Sequence, residues 1–141
     1  MIWDGSPFGG AKLAAMHGDA LLAYARDDKP GIPYPGMIDL PGGGREGDET
    51  PEACVLRELA EEFGLTLPTE RLYYHRVYVL ADGATVSHFF AVHLSEADVA
   101  GVKFGDEGQD WALMPAADFI ADDHAVPKLR EWVAADIAAT R

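Results

Sequence analysis

The chain has 141 residues, a formal net charge of -13 and a single cysteine. That length predicts one domain over residues 1–141, and the single Cys54 excludes an intrachain disulfide and favours a reducing cytoplasm. The acidic surface repels phosphate backbones and no apolar stretch approaches the roughly 18 residues of a membrane span, so we expect neither nucleic acid nor a membrane as a partner.

The first predicted element is a hairpin made of two apolar runs. Residues 11–16 and 20–25 flank a Gly-Asp turn signal, although their alanine and leucine content leaves a helix open. Residues 27–36 contain three prolines and two glycines, which predicts a loop. Residues 37–40 predict a short strand that leads into a glycine-rich stretch.

The next predicted element is an amphipathic helix over residues 51–63. Thr50 is a good N-cap, Pro51 suits the first helical position, and Gly64 suits the residue that ends a helix. At about 100° per residue, one broad apolar face packs on the core. That face consists of Val55, Leu56, Leu59, Ala60 and Phe63.

The same helix carries an acidic ridge formed by Glu58, Glu61 and Glu62. These residues fall within an arc of about 100° on nearly the opposite side from the apolar face. Two of them are an i,i+4 like-charge pair, which costs about 0.2–0.5 kcal/mol, and the helix dipole also disfavours anions near this end. Arg57 relieves only part of this repulsion. A solvated acidic face is one interpretation, and a site for Mg²⁺ or Mn²⁺ is the other.

The second half of the chain predicts a hairpin, short strands and a closing helix. Residues 72–80 and 85–94 are rich in β-branched and aromatic residues around a turn signal at Asp82-Gly83. We also expect short strands at residues 102–104 and 110–114 and one helical turn after the latter. From about Val126, apolar residues at helical spacing predict an amphipathic helix.

The glycine-rich stretch and the helix together resemble the signature of the Nudix hydrolases. The glycines also fit the G-x-G-x-x-G dinucleotide pattern, but that pattern requires a helix opening at the glycines, and here the helix waits until Thr50. The matching positions of the Nudix signature are Gly43, Glu49, Arg57, Glu58, Leu59, Glu61, Glu62, Gly64 and Leu65. The resemblance implies an α/β fold: an α/β/α sandwich with a mixed central sheet and a catalytic loop-helix-loop.

The resemblance also implies roles for individual residues. The carbonyl of Gly42 and the side chains of Glu58 and Glu62 match metal ligands, and Glu61 matches either a further ligand or the base for the attacking water. Mg²⁺ is the expected metal, with Mn²⁺ as the alternative. Arg57 matches a motif residue that pairs with Glu49 and holds the loop against the helix.

Another acid outside the motif is expected as a further metal ligand or general base. Glu107 is our candidate for it, while Asp106 and Asp110 compete for that role. The implied catalytic residues are therefore Glu61, Glu62, Glu107 and Arg57.

The implied reaction is hydrolysis of the pyrophosphate bond in a nucleoside diphosphate linked to a second group, X. We expect a small nucleotide substrate, either a nucleoside triphosphate or a nucleotide sugar, and a homodimer is an open alternative to a monomer. A non-catalytic module that senses nucleotides or nucleotide sugars is the alternative function, and a plain acidic scaffold is a third.

Several side chains could contact the substrate, although packing or solvated roles are favoured for each of them. The aromatic candidates for stacking on a base are Phe8, Tyr34, Tyr73 and Tyr78. The basic candidates for contacting phosphates are Arg26, Lys29, Arg45 and Lys103.

Overall fold

The computed structural model describes residues 3–141. Its strands are β1 (Gly10–His17), β2 (Ala20–Ala25), β3 (Ile38–Asp39), β4 (Gly42–Gly44), β5 (Leu72–Val79), β6 (Val86–His93) and β7 (Asp110–Pro115). Its helices are α1 (Pro51–Phe63), α2 (Glu96–Ala100), α3 (Ala116–Ala121) and α4 (Pro127–Thr140), and a 3₁₀ turn covers Thr69–Arg71.

All of the strands belong to one mixed sheet. The order of its main path is β3-β2-β1-β6-β5, with β4 paired to β1 and β7 paired to β2. The pairing of β1 with β6 is parallel, whereas the other pairings are antiparallel. The first hairpin, β1-β2, and the later one, β5-β6, confirm the two hairpins predicted from alternation and turn residues.

The sheet separates two apolar layers, because successive residues of a strand point to opposite faces. The layer under α1 includes Leu13, Leu59, Phe63 and Phe90. The layer under α3 and α4 includes Met16, Phe89, Phe119, Leu129 and Trp132. Helices on both faces of a mixed sheet confirm the α/β/α sandwich expected from the sequence.

Helix α1 begins and ends where the capping residues predicted. The side chain of Thr50 accepts a hydrogen bond from the backbone N–H of Ala53, Pro51 occupies the first turn, and Gly64 is left-handed with φ of 68°. On its apolar face Val55, Leu59 and Phe63 are buried as expected, while Leu56 and Ala60 are partly exposed. However, Glu62 is also buried, so the acidic ridge does not lie wholly on the solvent side.

The predicted strand at residues 102–104 is wrong. This segment is irregular and instead closes the C-terminal end of α1: the backbone N–H of Lys103 donates to the carbonyl of Phe63, and that of Gly105 donates to the carbonyl of Glu62. The last carbonyls of a helix need partners, and this segment supplies them. Strand β4 and the short helix α2 were not anticipated.

Within residues 3–141, the helices fall short of the length and apolar character needed to cross a bilayer.

Candidate active site

A cleft of about 360 Å³ lies where α1, the glycine strand β4, the loop at residues 27–36 and the start of α4 meet. Charged side chains of both signs line it. We call Glu58, Glu62 and Glu107 the acidic wall and Lys12, Arg26 and Lys128 the basic wall. The cleft therefore joins carboxylates that suit a divalent cation to cations that suit a phosphate.

Glu62 is the most deeply placed acid of the acidic wall, with 7% of its surface exposed. Its Oε1 accepts a hydrogen bond of 2.8 Å from the backbone N–H of Gly42, and its Oε2 lies 3.4 Å from the hydroxyl of Tyr24. Burial raises the pKa of Glu62 to about 7, because the surroundings compensate little of the lost hydration. A cation in the cleft would supply the missing compensation.

The carboxylate of Glu58 lies against the glycine strand. A Cβ added to Gly43 would come within 2.7 Å of the carboxyl carbon of Glu58, so only glycine permits this approach. Gly42, with φ of 134°, is held equally tightly, since a Cβ there would meet the carbonyl of Ala11 at 2.2 Å. The tight backbone thus sets the position of both motif carboxylates.

Arg57 joins the loop to the helix, as the motif implied. Its Nε and Nη2 donate to the two carboxylate oxygens of Glu49 at 2.7 and 3.1 Å. Its Nη1 also donates to Glu58 at 2.9 Å and to Glu61 at 2.8 Å. The hydrogen bond from Arg57 to Glu49 lowers the pKa of Glu49, so this acid is held as a carboxylate.

Of the remaining predicted acids, one lines the cleft and the others do not. Glu61 is 55% exposed at its side chain and does not line the cleft. Glu107 does line it, close enough to Glu58 for their charges to repel, whereas the competitors Asp106 and Asp110 do not line it. Together with burial, which is the larger cause, and with Glu61, this repulsion raises the pKa of Glu58.

The donor set of the cleft fits a hard divalent cation, although its side chains do not yet converge. Among residues 3–141, no three His, Cys, Asp or Glu side chains are close enough together to hold a metal ion as they stand. Arg57 holds one oxygen of Glu58, and the N–H of Gly42 holds one oxygen of Glu62. Glu58 keeps a second oxygen, the second oxygen of Glu62 has only the hydroxyl of Tyr24 at 3.4 Å, and the poorly compensated charge of Glu62 favours a cation.

The carbonyl of Gly42 lies 3.4 Å from the Nζ of Lys12. Its place as a metal ligand therefore stays a prediction.

The basic wall is built around a buried carboxylate that the sequence reasoning missed. Asp39, on β3, is 2% exposed and forms ion pairs with Lys12 at 3.0 Å and with Arg26 at 2.7 Å. Burial alone would raise the pKa of Asp39, but the two cations outweigh it and hold the pKa below its usual value. The signal was available: an acid in the middle of a short apolar strand requires a partner.

Lys128 completes the basic wall from the first turn of α4. Burial, reinforced by the charge of Lys12, lowers the pKa of Lys128. Its Nζ lies 5.9 Å from the ring centre of Tyr34 and 5.8 Å from that of Trp132. Lys128 is thus a cation held between two aromatic rings at the edge of the cleft.

A second cavity, of about 750 Å³, adjoins the cleft and shares Tyr34 and Lys128 with it. Its wall includes Tyr78 and Trp132, whose rings stack at 4.3 Å. The hydroxyl of Tyr78 is buried without a hydrogen-bond partner in the part of the chain that is described. This cavity therefore offers an apolar, aromatic wall next to the charged cleft.

The other candidates from the sequence lie elsewhere. Phe8 is buried beside His88, Tyr73 stacks on His93, Lys29 faces Asp27, and Arg45 lies over the rings of Trp3 and Phe8. Lys103 and Cys54 are also outside the lining of the cleft. Burial raises the pKa of Cys54 to about 11, which agrees with an unreactive thiol.

The sequence is similar to those of known proteins. The family model of the NUDIX domain matches residues 9–135. An RNA pyrophosphohydrolase from Acidiphilium cryptum (strain JF-5) is 47% identical over 57 residues, which are 40% of this chain and 34% of that protein. An 8-oxo-dGTP diphosphatase from Escherichia coli (strain K12) is 36% identical over 86 residues, which are 61% of this chain and 64% of that protein.

The matched segments thus span about a third of one curated relative and just under two thirds of the other. Solved structures agree in fold. A MutT protein from Methanosarcina mazei Go1 has a TM-score of 0.72 at 18% identity, covering 96% of this chain and 97% of that one. An Ap4A hydrolase from C. elegans has a TM-score of 0.67 at 18% identity, covering 92% and 96%.

Proposed function

The chain belongs to the Nudix family, and we propose that it is a pyrophosphohydrolase that cleaves a nucleoside diphosphate linked to a second group, X, with Mg²⁺ or Mn²⁺. A nucleoside triphosphate or a nucleotide sugar is the substrate class that we favour. Two curated relatives are named for related hydrolytic activities, one on RNA and one on 8-oxo-dGTP, which supports the reaction class. A cytoplasmic location remains part of the proposal.

One observation carries this proposal: the acidic wall and the basic wall line one and the same cleft. A solvated acidic face would leave Glu62 exposed, whereas Glu62 is buried at a cost reflected in its raised pKa. A simple acidic scaffold would have no use for Lys12, Arg26 and Lys128 gathered at the same place in a chain of net charge -13. Binding of a metal-bound phosphate explains both walls.

The residues have three roles: they hold the metal, neutralise the charge of the phosphate and accept a proton from water. Glu58, Glu62 and Glu107 are the side chains that would hold the metal, which when bound supplies charge neutralisation and a lowered pKa for the attacking water. Lys12, Arg26 and Lys128 take phosphate oxygens and stabilise the charge that develops on them. A carboxylate oxygen of Glu107 that does not hold the metal accepts the proton of the water, since Glu61 lies outside the lining of the cleft.

The part of the substrate beyond the pyrophosphate extends into the second cavity. Tyr34 lies at the boundary of the two cavities, is 40% exposed, and adopts a positive φ of 49° that is uncommon outside glycine. An exposed aromatic ring at this boundary suits stacking on a base, and Lys128 would hold the adjacent phosphate. The loop at residues 27–36 therefore contributes to substrate selection.

A substrate panel with Mg²⁺ tests the proposal. Nucleoside triphosphates including 8-oxo-dGTP, nucleotide sugars and dinucleoside polyphosphates are each incubated with the wild type and with Glu62→Gln, and the released monophosphate, pyrophosphate or phosphate is quantified. We expect turnover of at least one class by the wild type only. If calorimetry detected nucleotide binding but no class were turned over, the non-catalytic sensing module would be favoured instead. We do not expect that outcome, because this chain retains all of the acids of the motif.

A further inference from the structure

Asp39 is the point at which the contacts of the cleft converge. Its Oδ1 accepts a hydrogen bond of 3.0 Å from the Nζ of Lys12, and its Oδ2 accepts one of 2.7 Å from Arg26 and one of 3.2 Å from the hydroxyl of Tyr24. Its Oδ1 also accepts from the backbone N–H of Leu40 at 2.7 Å, which holds the carboxylate in one orientation. A single buried side chain thus restrains three residues that face the cleft.

Taken without the neighbouring Glu62, the charges of Asp39, Lys12 and Arg26 leave a positive surplus in the lining of the cleft. Lys12 and Arg26 are two cations for one carboxylate, so the group as a whole keeps one positive charge. The Nζ of Lys12 also donates to Oδ2 of Asp39 and to the carbonyl of Leu40, each at 3.1 Å, so its three N–H donors are engaged and it acts on a phosphate through its charge. A cation held by a rigid frame loses little conformational entropy when it binds a phosphate, and this preorganisation increases affinity.

Asp39 also reaches the acidic wall through Tyr24. The hydroxyl of Tyr24 lies 3.2 Å from Oδ2 of Asp39 and 3.4 Å from Oε2 of Glu62, so it bridges two buried carboxylates with one proton. The ring of Tyr24 is fixed by edge contact with Phe63 of α1, with ring centres 6.0 Å apart. The position of Glu62 is therefore mechanically linked to that of the basic wall.

We propose that Asp39 is a positioning residue, which holds the charges of Lys12 and Arg26 beside a substrate phosphate and, through Tyr24, steadies Glu62 on the acidic wall. The inference rests on the proposed function only in taking a pyrophosphate group as the ligand. A merely structural Asp39 would neutralise two cations and stabilise the fold without affecting phosphate affinity. The two roles differ in what a charge-removing substitution changes.

The test compares Asp39→Asn with Asp136→Asn, a matched control. Asp136 is an aspartate of α4 that is 1% exposed and lies outside the lining of the cleft. Calorimetry with inorganic pyrophosphate measures affinity without turnover, and kinetics on a substrate from the panel give kcat and KM separately. For Asp39→Asn we expect pyrophosphate affinity to fall and KM to rise, each by on the order of tenfold, because a charged hydrogen-bond partner is lost. The control should keep both values.

Unchanged pyrophosphate affinity and KM in Asp39→Asn, with only a lower melting temperature, would overturn the inference. Tyr24→Phe keeps the ring and tests the link to Glu62 even where Asp39→Asn does not fold. We expect kcat to fall several-fold with pyrophosphate affinity retained, since a single hydrogen bond is removed. Wild-type kcat in Tyr24→Phe would contradict that link.

The outcomes separate this inference from the proposed function. Pyrophosphate binding that depends on Asp39, in a chain that turns over nothing on the panel, would support the inference and contradict the activity. Turnover by the wild type together with a normal KM in Asp39→Asn would contradict the inference alone.

Discussion

The two walls of the cleft are built in different ways. The acidic wall draws two of its three members, Glu58 and Glu62, from adjacent turns of α1, whereas the basic wall draws its cations from β1, from the residue after β2 and from α4. Most of the first wall is therefore a local product of one helix, and the second exists only when distant parts of the chain have come together.

A buried carboxylate in each wall has its pKa shifted in the opposite direction. Asp39 and Glu62 are 2% and 7% exposed, yet the pKa of Asp39 is lowered and that of Glu62 is raised to about 7. Burial raises both, but two cations contact Asp39, while Glu62 receives a backbone N–H and a distant hydroxyl. The buried charge of Asp39 is compensated by its own two ion pairs, whereas the buried charge of Glu62 is compensated only in part.

The largest expected effect is on the acidic wall, in Glu62→Gln. Replacing the buried carboxylate with an amide removes a metal ligand, and we expect kcat to fall by roughly 100-fold or more, comparable with losing a principal electrostatic group. Metal-free stability at pH 8 should not fall, because the amide carries no charge to desolvate. Steady-state kinetics measure kcat, and urea unfolding measures the metal-free stability. A wild-type kcat in Glu62→Gln would contradict the assignment of Glu62 as a metal ligand.

The second effect is the pH dependence of metal-free stability. The pKa of Glu62 rises from 4.5 to about 7 on folding, so its contribution is fully present below about pH 4.5 and is lost as the pH rises through about 7. The loss is on the order of 3 kcal/mol between these limits. Urea unfolding with a chelator at pH 4.5 to 8 measures it, in the wild type and in Glu62→Gln.

The variant isolates the contribution of Glu62, because another group has the opposite slope. Burial lowers the pKa of His88 to about 4, so its contribution is lost as the pH falls below about 6.5. The curve of Glu62→Gln should rise with pH across this window relative to the wild type. Parallel curves would show that Glu62 titrates normally.

The third effect is stabilisation by the metal itself. If the acidic wall is completed by Mg²⁺, saturating it at 100 times the dissociation constant should raise the free energy of unfolding by about 2.7 kcal/mol. Thermal unfolding with and without Mg²⁺ measures this shift. Glu58→Gln should abolish most of it, whereas Glu131→Gln, on α4 away from the acidic wall, should retain it.

A smaller effect is expected on the basic wall, in Lys128→Met. This change removes a phosphate contact but leaves the Asp39 pairs intact, so KM should rise about three- to tenfold with kcat nearly unchanged. Steady-state kinetics at two salt concentrations check the result, since a contact with a phosphate weakens as salt rises. A fall in kcat with constant KM would instead place Lys128 at the reacting phosphate.

The smallest effect is expected at the second cavity, in Tyr34→Ala. Loss of one stacking ring should raise KM for a nucleotide by several-fold, corresponding to about 1 kcal/mol. Tyr73→Ala is the matched control, because Tyr73 is similarly exposed, at 37% against 40%, but stacks on His93. Equal effects of both variants would contradict a base-binding role for Tyr34.

The acidic wall was predictable because its information is contiguous. The cap at Thr50, the glycine at Gly64 and the spacing of Glu58 and Glu62 all lie within one helix and its ends. The burial of Glu62 was not predictable, since helical angles give a direction relative to the axis but not what packs there. Tyr24 and Gly42 come from other elements and cover it.

The basic wall was predictable only at Arg26, which was named as a candidate phosphate contact, because nothing in the sequence links it to the other two cations. Lys12, Arg26 and Lys128 are single cations in otherwise unremarkable segments, and only the pairing of β1, β2 and β3 brings the first two to Asp39. The strand expected at residues 102–104 failed for a similar reason. The need of α1 for partners at its last carbonyls outweighed the weak strand propensity of three residues.

That closing segment has a mechanical consequence for catalysis. Because Lys103 and Gly105 are tied to the carbonyls of Phe63 and Glu62, the loop bearing Glu107 is anchored to the helix whose turns bear the motif acids. A rigid-body displacement of the helix would therefore carry Glu107 along with Glu58 and Glu62, and the spacing among these three acids would be conserved. A metal held by them, as proposed, would keep the same ligand geometry throughout such a movement.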